Sequence, residues 1–105
     1  LVKSKAFLKD EERKVLGGML EGLIGTKGAY VLDEKMNVLG KVPLSELNST
    51  LRTLNTGVYA VVLDGSIERE LVDVAETSTL KHIIGMDTKV KPMDSRINII
   101  TAAEL

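Results

Sequence analysis

Two aspartates, Asp64 and Asp87, each follow an apolar run of the kind found in buried strands. Open α/β sheets bind ligands at the carboxyl ends of their parallel strands, and Mg²⁺ prefers oxygen ligands. If the two strands are neighbours, their carboxylates provide a small Mg²⁺ site. Asp64-Gly65-Ser66 and Asp87-Thr88 are also good turn sequences, and turn chemistry explains both acids without a metal. The sequence therefore makes Asp64 and Asp87 candidate metal ligands, with a structural role in loops as the alternative.

Neither a catalytic residue nor a cofactor motif emerges from the other reactive side chains. His82, the only histidine, begins a strand-like run with no obvious nucleophile beside it, so we interpret it as a structural histidine. The Gly25-Thr26-Lys27-Gly28 segment precedes a strand, whereas a phosphate-binding loop precedes a helix, so we predict an ordinary loop there. The acids Glu68, Glu70, Asp73 and Glu76 lie opposite an apolar helix stripe. They form a solvated face or, alternatively, a patch for a basic partner.

Periodicity predicts three helices around these residues. The first covers about residues 4–24: its charge order favours a start near Lys9, while the apolar Phe7 and Leu8 allow an earlier one. Its apolar positions are Val15, Leu16, Met19, Leu20 and Leu23. We expect Gly17-Gly18 to allow close packing by a neighbour. The second helix runs from Leu44 to about Leu54. The third, with Ser66 as its N-cap, ends near Glu76.

The strand predictions define the fold class. Residues 29–32 and 38–42 are predicted to form an antiparallel hairpin around the polar turn 33–37. Residues 58–63 and 81–86 are predicted as central parallel strands joined by the third helix, and 97–101 as a last strand after a loop at 87–96. The predicted fold is α/β, with a mixed sheet of about five strands, a parallel centre and about three helices.

Composition limits the possible functions. The chain has 105 residues, 14 basic and 15 acidic side chains, a net charge of −1, 3% aromatic residues and no cysteine. These values exclude a disulfide framework and a thiolate zinc site, and they disfavour direct nucleic-acid binding by charge or ring stacking. No apolar run approaches the roughly 18 residues that cross a bilayer. We expect a single domain (1–26 entering helix, 27–105 α/β core) that resides in the cytoplasm. Because the sequence begins without Met, we also expect a fragment of a longer chain.

Three segments in order resemble the C-terminal region of archaeal DnaG-type primases: Val38-Leu39-Gly40-Lys41-Val42-Pro43-Leu44-Ser45-Glu46-Leu47, then Val58-Tyr59-Ala60-Val61-Val62-Leu63-Asp64-Gly65-Ser66-Ile67, then His82-Ile83-Ile84-Gly85. The resemblance covers about residues 27–101. It implies a TOPRIM-like layout and a parent protein that synthesises RNA primers by Mg²⁺-dependent nucleotidyl transfer in DNA replication. It also implies association of that parent with the archaeal RNA exosome and its adenine-rich RNA.

The catalytic residues of such a primase do not carry over. A TOPRIM centre needs a strand-end Glu and an Asp-x-Asp pair, so that clustered carboxylates hold metal ions against phosphates. Asp64 is followed by Gly65-Ser66, and Asp33-Glu34 lies at a hairpin turn. We therefore expect a non-catalytic accessory domain without its own cofactor. Its partners would be proteins, either exosome subunits or a second copy, and the Gly17-Gly18 helix is the candidate surface. The alternative is a Mg²⁺-dependent phosphotransfer or phosphoesterase domain that uses the strand-end carboxylates.

Overall fold

The computed structural model describes residues 9–54 and 57–105. It contains three helices, α1 (Asp10–Leu23), α2 (Leu44–Thr53) and α3 (Arg69–Glu76). The strands are β1 (Gly28–Leu32), β2 (Val38–Pro43), β3 (Ala60–Leu63), β4 (Ser66–Ile67), β5 (His82–Gly85), β6 (Asp87–Thr88) and β7 (Asn98–Thr101). Two short 3-10 helices cover Pro92–Asp94 and Ala102–Glu104.

Five strands form the main sheet in the order β2-β1-β3-β5-β7. The β1–β2 and β1–β3 pairs are antiparallel, whereas β3–β5 and β5–β7 are parallel. The predicted mixed sheet, with a hairpin at one edge and a parallel centre, is therefore confirmed. All four residues of β3 and of β5 are buried, as expected for strands that are covered on both faces.

The two faces of the sheet belong to separate cores. On one face, Leu16, Leu20 and Leu23 of α1 pack with Leu32, Ala60, Val62, Ile84 and Ile100. On the other, α2 and α3 cover the alternate strand residues, which include Val31, Val61, Ile83 and Ile99. Because successive strand side chains point to opposite faces, the same strands supply both cores. The molecule is a three-layer α/β/α sandwich.

Helix α1 begins where its charge pattern predicts. Its first turn holds Asp10, Glu11 and Glu12, which complement the positive end of the helix dipole, and Glu12 Oε1 accepts the Lys9 N–H at 3.0 Å. The predicted residues 4–8 lie outside the described part of the chain. At the other end, Gly25 has a φ of 87°, the left-handed conformation that glycine adopts after a helix.

Two local predictions are wrong. Ser66 does not cap α3, because Ser66 and Ile67 form β4 and pair in parallel with Asp87 and Thr88 of β6. Helix α3 starts at Arg69, with Glu68 at the N-cap position. The same pairing places a strand inside the segment 87–96, which was predicted to be a loop. A two-residue strand has no periodicity of its own, so its partner decides its structure.

Candidate functional site

Asp64 holds together the loop that follows α1. Its Oδ2 atom accepts hydrogen bonds from the backbone N–H groups of Gly25 and Lys27, both at 2.9 Å. The loop can present both N–H groups because Gly25 and Lys27 have positive φ values, 87° and 54°. Backbone N–H groups in such a turn form a nest for an anion. The predicted loop at 25–28 therefore does bind an anion, but the anion is this chain's own carboxylate.

Asp87, the second candidate ligand, lies in β6 and is exposed. It pairs with Ser66 across the small parallel sheet, next to the tight contact at Gly85. A Cβ at Gly85 would lie 2.8 Å from Ile67 Cγ1 and 2.9 Å from the Gly65 carbonyl oxygen. Gly85 thus marks a close backbone approach, and the neighbour is β4 and its preceding turn. Both aspartates occupy ordered local structures at the carboxyl edge of the sheet.

Acidic groups in the described ranges 9–54 and 57–105 form no cluster of three or more potential metal ligands. Several acids have other partners. Asp33 Oδ1 accepts the backbone N–H groups of Lys35 and Asn37, each at 2.9 Å. The Asn37 backbone bond is the main cause that holds the pKa of Asp33 below its usual value. Asp33 therefore shapes the hairpin turn.

The acidic face of α3 is largely neutralised by neighbouring groups. Arg69 pairs with Asp73 at 3.0 Å, Arg52 with Glu70 at 3.6 Å and Lys89 with Glu68 at 3.8 Å. Glu76 accepts the Ser95 hydroxyl at 2.6 Å. Exposed pairs of this kind contribute little to stability. They do lower the net charge of the surface, which favours the solvated-face interpretation over a patch for a basic partner.

His82 is fully buried and satisfied on both ring nitrogens. Its Nδ1 lies 3.1 Å from Asn98 Nδ2, and its Nε2 lies 3.1 Å from Tyr59 Oη. Because an amide nitrogen only donates, Nδ1 is the acceptor and the ring proton is on Nε2, which donates to Tyr59. The rings of Tyr59 and His82 meet edge-on, with centroids 4.9 Å apart. With the Asn98 amide nitrogen facing Nδ1, the imidazole is neutral.

Burial is the main cause that lowers the pKa of His82, and Lys81 adds to it, while Glu12 acts in the opposite direction. Burial also raises the pKa of the Tyr59 phenol, with smaller effects of the same sign from Glu12 and Glu34. Neither group is prepared for acid–base catalysis near neutral pH, where both are neutral. The prediction of a structural histidine agrees with this environment.

A groove of about 520 Å³ lies between the hairpin turn and the amino ends of β3 and β5. It is lined by Asp33, Glu34, Lys35, Asn37, Gly57, Val58, Tyr59, Thr79 and Lys81. Its charges are mixed in sign, and its polar groups already serve the fold in part: Thr79 Oγ1, for example, donates to the Val58 carbonyl at 3.0 Å. The groove therefore has no single charge that would select a ligand.

Sequence reasoning missed the role of Arg96. Its guanidinium donates to the carbonyl oxygens of Leu80 (3.0 Å), Ala75 (3.3 Å), Glu76 (2.9 Å) and Ser78 (2.8 Å). These carbonyls lie in the last turn of α3 and in the segment that leads to β5, where a helix leaves acceptors unsatisfied. Nothing local in the sequence identifies Arg96, since its partners lie between 16 and 21 residues away.

The predicted surface on α1 is only partly left open. Leu16, Leu20 and Leu23 are buried against the sheet, whereas Val15 and Ile24 remain 44% and 56% exposed. The expected close packing at the glycine pair is wrong within the described chain. A Cβ at Gly17 would meet only Leu105, at 3.9 Å, and one at Gly18 would meet nothing within 4 Å.

In place of a packed neighbour, an open groove of about 530 Å³ runs along α1 beside the C-terminal residues. Its lining includes Gly17, Gly18, Ile24, Met86 and Leu105. Leu105 and the 3-10 helix before it are held to α1 by Arg13, whose Nη1 donates to the Glu104 carbonyl at 3.1 Å. The described part of the chain therefore leaves an apolar groove on its α1 side.

Sequence comparisons find archaeal proteins similar to this chain. Over 98 aligned residues, this chain is 33% identical to the DNA primase DnaG of Archaeoglobus fulgidus. The alignment covers 92% of this chain and 25% of that protein. It is 45% identical over 67 residues to the DnaG of Thermofilum pendens, and that alignment covers 64% of this chain and 16% of that protein. The chain is related to archaeal DnaG primases.

The DnaG of Methanosarcina barkeri is 31% identical over 87 residues, 82% of this chain and 17% of that protein. The chain thus spans about a sixth to a quarter of the length of these DnaG relatives. No protein-family model matches it. The similarity confirms the resemblance noted in the sequence and assigns this fold to a primase-related domain.

None of the helices in the described ranges is long and apolar enough to cross a membrane. The sequence makes Asp64 and Asp87 candidate Mg²⁺ ligands, and their surroundings decide whether they fit that ion. Asp64 and Asp87 supply the right type of oxygen. However, one oxygen of Asp64 already accepts two backbone hydrogen bonds, and neither acid belongs to a group of three or more potential metal ligands among the described residues. Asp64 and Asp87, as they lie in the described chain, do not fit a resident Mg²⁺ ion.

Proposed function

We propose that this chain is a non-catalytic accessory domain of a longer, primase-related protein and that it works by contacting other protein. The observation that carries the proposal is the commitment of Asp64 to the loop after α1. Asp64 Oδ2 accepts two backbone N–H groups at 2.9 Å, which is a structural task for the best-placed acid at the carboxyl edge. A carboxylate that holds a loop is a poor ligand for an ion that must also bind substrate phosphates.

The parent's activity is part of the same proposal. The relatives are named DNA primases, which supports primer synthesis in DNA replication by other regions of the parent. From the resemblance we further propose that these regions bind Mg²⁺ and nucleic acid, that the parent associates with the exosome, and that it resides in the cytoplasm. Residues 1–105 would then be one domain in the C-terminal part of that chain. With a net charge of −1, the domain itself has little electrostatic attraction for RNA.

A metal titration tests the non-catalytic proposal. We expect Mg²⁺ or Mn²⁺, added to ¹⁵N-labelled protein, to leave the amide resonances of residues 64–66 and 87–88 unshifted. The Asp64→Asn/Asp87→Asn variant is the control, because it removes both charges while keeping oxygen acceptors. A saturable shift at both segments that the double variant abolishes would overturn the proposal and support the Mg²⁺-dependent phosphotransfer or phosphoesterase alternative.

A further inference from the structure

The groove beside α1 has exposed apolar side chains along its walls and two glycines, without side chains, at its base. Ile24, Met86 and Leu105 are 56%, 36% and 39% exposed. Gly17 and Gly18 form the floor, and glycine within a helix makes the helix less stable than alanine would. Within the described chain no close contact offsets that cost, since only Leu105 comes within 4 Å of a Cβ placed on either glycine. The groove is therefore suited to a chain that approaches α1 closely.

The charges along this groove identify the chain that fits it. Lys14 and Glu21 lie on either side of the glycine pair, and both line the groove. Their spacing of three, four and seven residues places Lys14, Gly17, Gly18 and Glu21 on one face of the helix. No ion pair or hydrogen bond found among the described residues uses the side chain of Lys14 or Glu21. Their charges are therefore open to a partner.

A second copy of α1 satisfies this pattern. When two α1 helices cross antiparallel with Gly17 of one opposite Gly18 of the other, Lys14 of each faces Glu21 of its partner. The two-fold axis makes the two ion pairs identical, as an isologous interface requires. A parallel crossing in the same register would place Lys14 against Lys14 and Glu21 against Glu21, and such like-charge contacts are unfavourable.

We propose that this protein forms a homodimer through α1, with two Lys14–Glu21 pairs on either side of a close contact at Gly17 and Gly18. The exposed side chains of Ile24, Met86 and Leu105 then cover the partner's helix. This inference rests on the proposed function, because it names the partner of a domain that acts by protein contact.

Charge exchange tests the dimer. Sedimentation equilibrium of the full chain is expected to show a monomer–dimer equilibrium at concentrations up to about 100 μM. Lys14→Glu and Glu21→Lys should each raise the dissociation constant by about tenfold or more, since each change creates two like-charge contacts. The Lys14→Glu/Glu21→Lys variant should restore dimerisation, because it reverses both members of every pair. Lys91→Glu, a charge reversal at an exposed residue away from the groove, is the matched control.

Three results would overturn the dimer. The first is a wild-type protein that remains monomeric throughout this range. The second is a dimer that both single reversals leave unchanged. The third is a shift of the amide resonances of Gly17 and Gly18 when residues 1–8 are deleted, because the chain's own N-terminal segment would then occupy the groove. If the protein is a monomer and Mg²⁺ shifts none of its amide resonances, the dimer is wrong but the proposed function remains. If Mg²⁺ shifts the resonances of residues 64–66 and 87–88, the proposed function is wrong, whether the protein is a monomer or a dimer.

Discussion

At the scale of single residues, His82 links the parallel strands through its side chain. Its imidazole accepts a hydrogen bond from Asn98 on β7 and donates one to Tyr59, which precedes β3. The side chain of His82 on β5 is therefore hydrogen-bonded to both neighbouring segments of the sheet. Protonation of Nδ1 would place an N–H group against the amide nitrogen of Asn98. The folded state therefore favours the neutral ring for a geometric reason as well as through burial.

The first prediction concerns the pH dependence of stability. The pKa of His82 is lowered in the folded state from an unfolded value near 6.5. Above that value neither state binds the proton, and stability is complete. As pH falls below about 6.5, His82 binds a proton in the unfolded state but not in the folded state. The free energy of unfolding therefore decreases until the pH reaches the pKa of His82 in the folded state. Urea unfolding of wild type should therefore show a lower free energy of unfolding at about pH 5.5 than at about pH 7.5.

His82→Gln removes the titrating group and isolates this effect from the carboxylates, which both proteins share. The free energy of unfolding of the variant should fall less than that of wild type over the same interval. Equal losses in the two proteins would show that His82 does not contribute to the acid sensitivity.

Asp64 shows what sequence can and cannot tell about a single side chain. Its place after an apolar run correctly puts it at the carboxyl edge of the sheet. Its partners, the N–H groups of Gly25 and Lys27, lie 39 and 37 positions earlier, in a segment with no sequence signal for that contact. The segment 25–28 was likewise predicted as a loop, but the spacing of residues could not show that the Asp64 carboxylate binds it.

At the scale of elements, the end of α3 depends on one long side chain. Helix α3 has 8 residues and no basic residue in its last turn. Arg96 supplies the missing positive charge from another segment and donates to four carbonyl oxygens there. A guanidinium suits this role because it presents several donors in a fixed plane.

Arg96→Ala is therefore expected to lower the free energy of unfolding by about 2 kcal/mol, because it leaves part-buried carbonyls without their donor. Arg96→Lys should recover only part of that loss, since an ammonium cannot reach all four acceptors. Arg69→Ala, which removes an exposed pair four residues apart within α3, should change stability by no more than about 0.5 kcal/mol. Denaturant unfolding of the three variants checks the order. A loss for Arg96→Ala no larger than that for Arg69→Ala would contradict a stabilising role for the hydrogen bonds from Arg96 to these carbonyls.

Periodicity predicted the elements well wherever a helix or strand had enough residues to show it. Leu16, Leu20 and Leu23 of α1 and the buried runs of β3 and β5 appear where the pattern places them, whereas Val15 of α1 is exposed. It failed at β4 and β6, which have two residues each. Ser66 is a good N-cap by type, but the backbone of Ser66 and Ile67 pairs with Asp87 and Thr88, and that pairing overrides the local preference.

At the scale of the whole molecule, the two cores are coupled through the shared sheet. In β3, Val61 faces the α2–α3 core and Val62 faces the α1 core, and Ile83 and Ile84 divide in the same way on β5. Neither face can lose its packing without exposing the strands that support the other. We therefore expect the chain to unfold as one cooperative unit, with α1 as part of it.

Leu20→Ala on α1 and Leu51→Ala on α2 test this coupling from opposite faces. Both side chains are at most 3% exposed, and each truncation should cost about 2–4 kcal/mol. Thermal unfolding followed by far-UV circular dichroism and by tyrosine fluorescence should give coincident transitions for both variants, shifted to lower temperature. If Leu20→Ala produced an early transition that left the rest of the sheet intact, α1 would be a separate unit.

The sequence by itself determined the three helices, the five strands of the mixed sheet and the kinship with archaeal DnaG primases, because hydrophobic periodicity and ordered motifs are local properties of the chain. Tertiary structure alone decided that Asp64 binds a distant loop, that Arg96 closes α3 and that the glycine pair of α1 borders an open groove. Each of these depends on groups that are far apart in sequence and meet only when the strands pair and both faces of the sheet are covered.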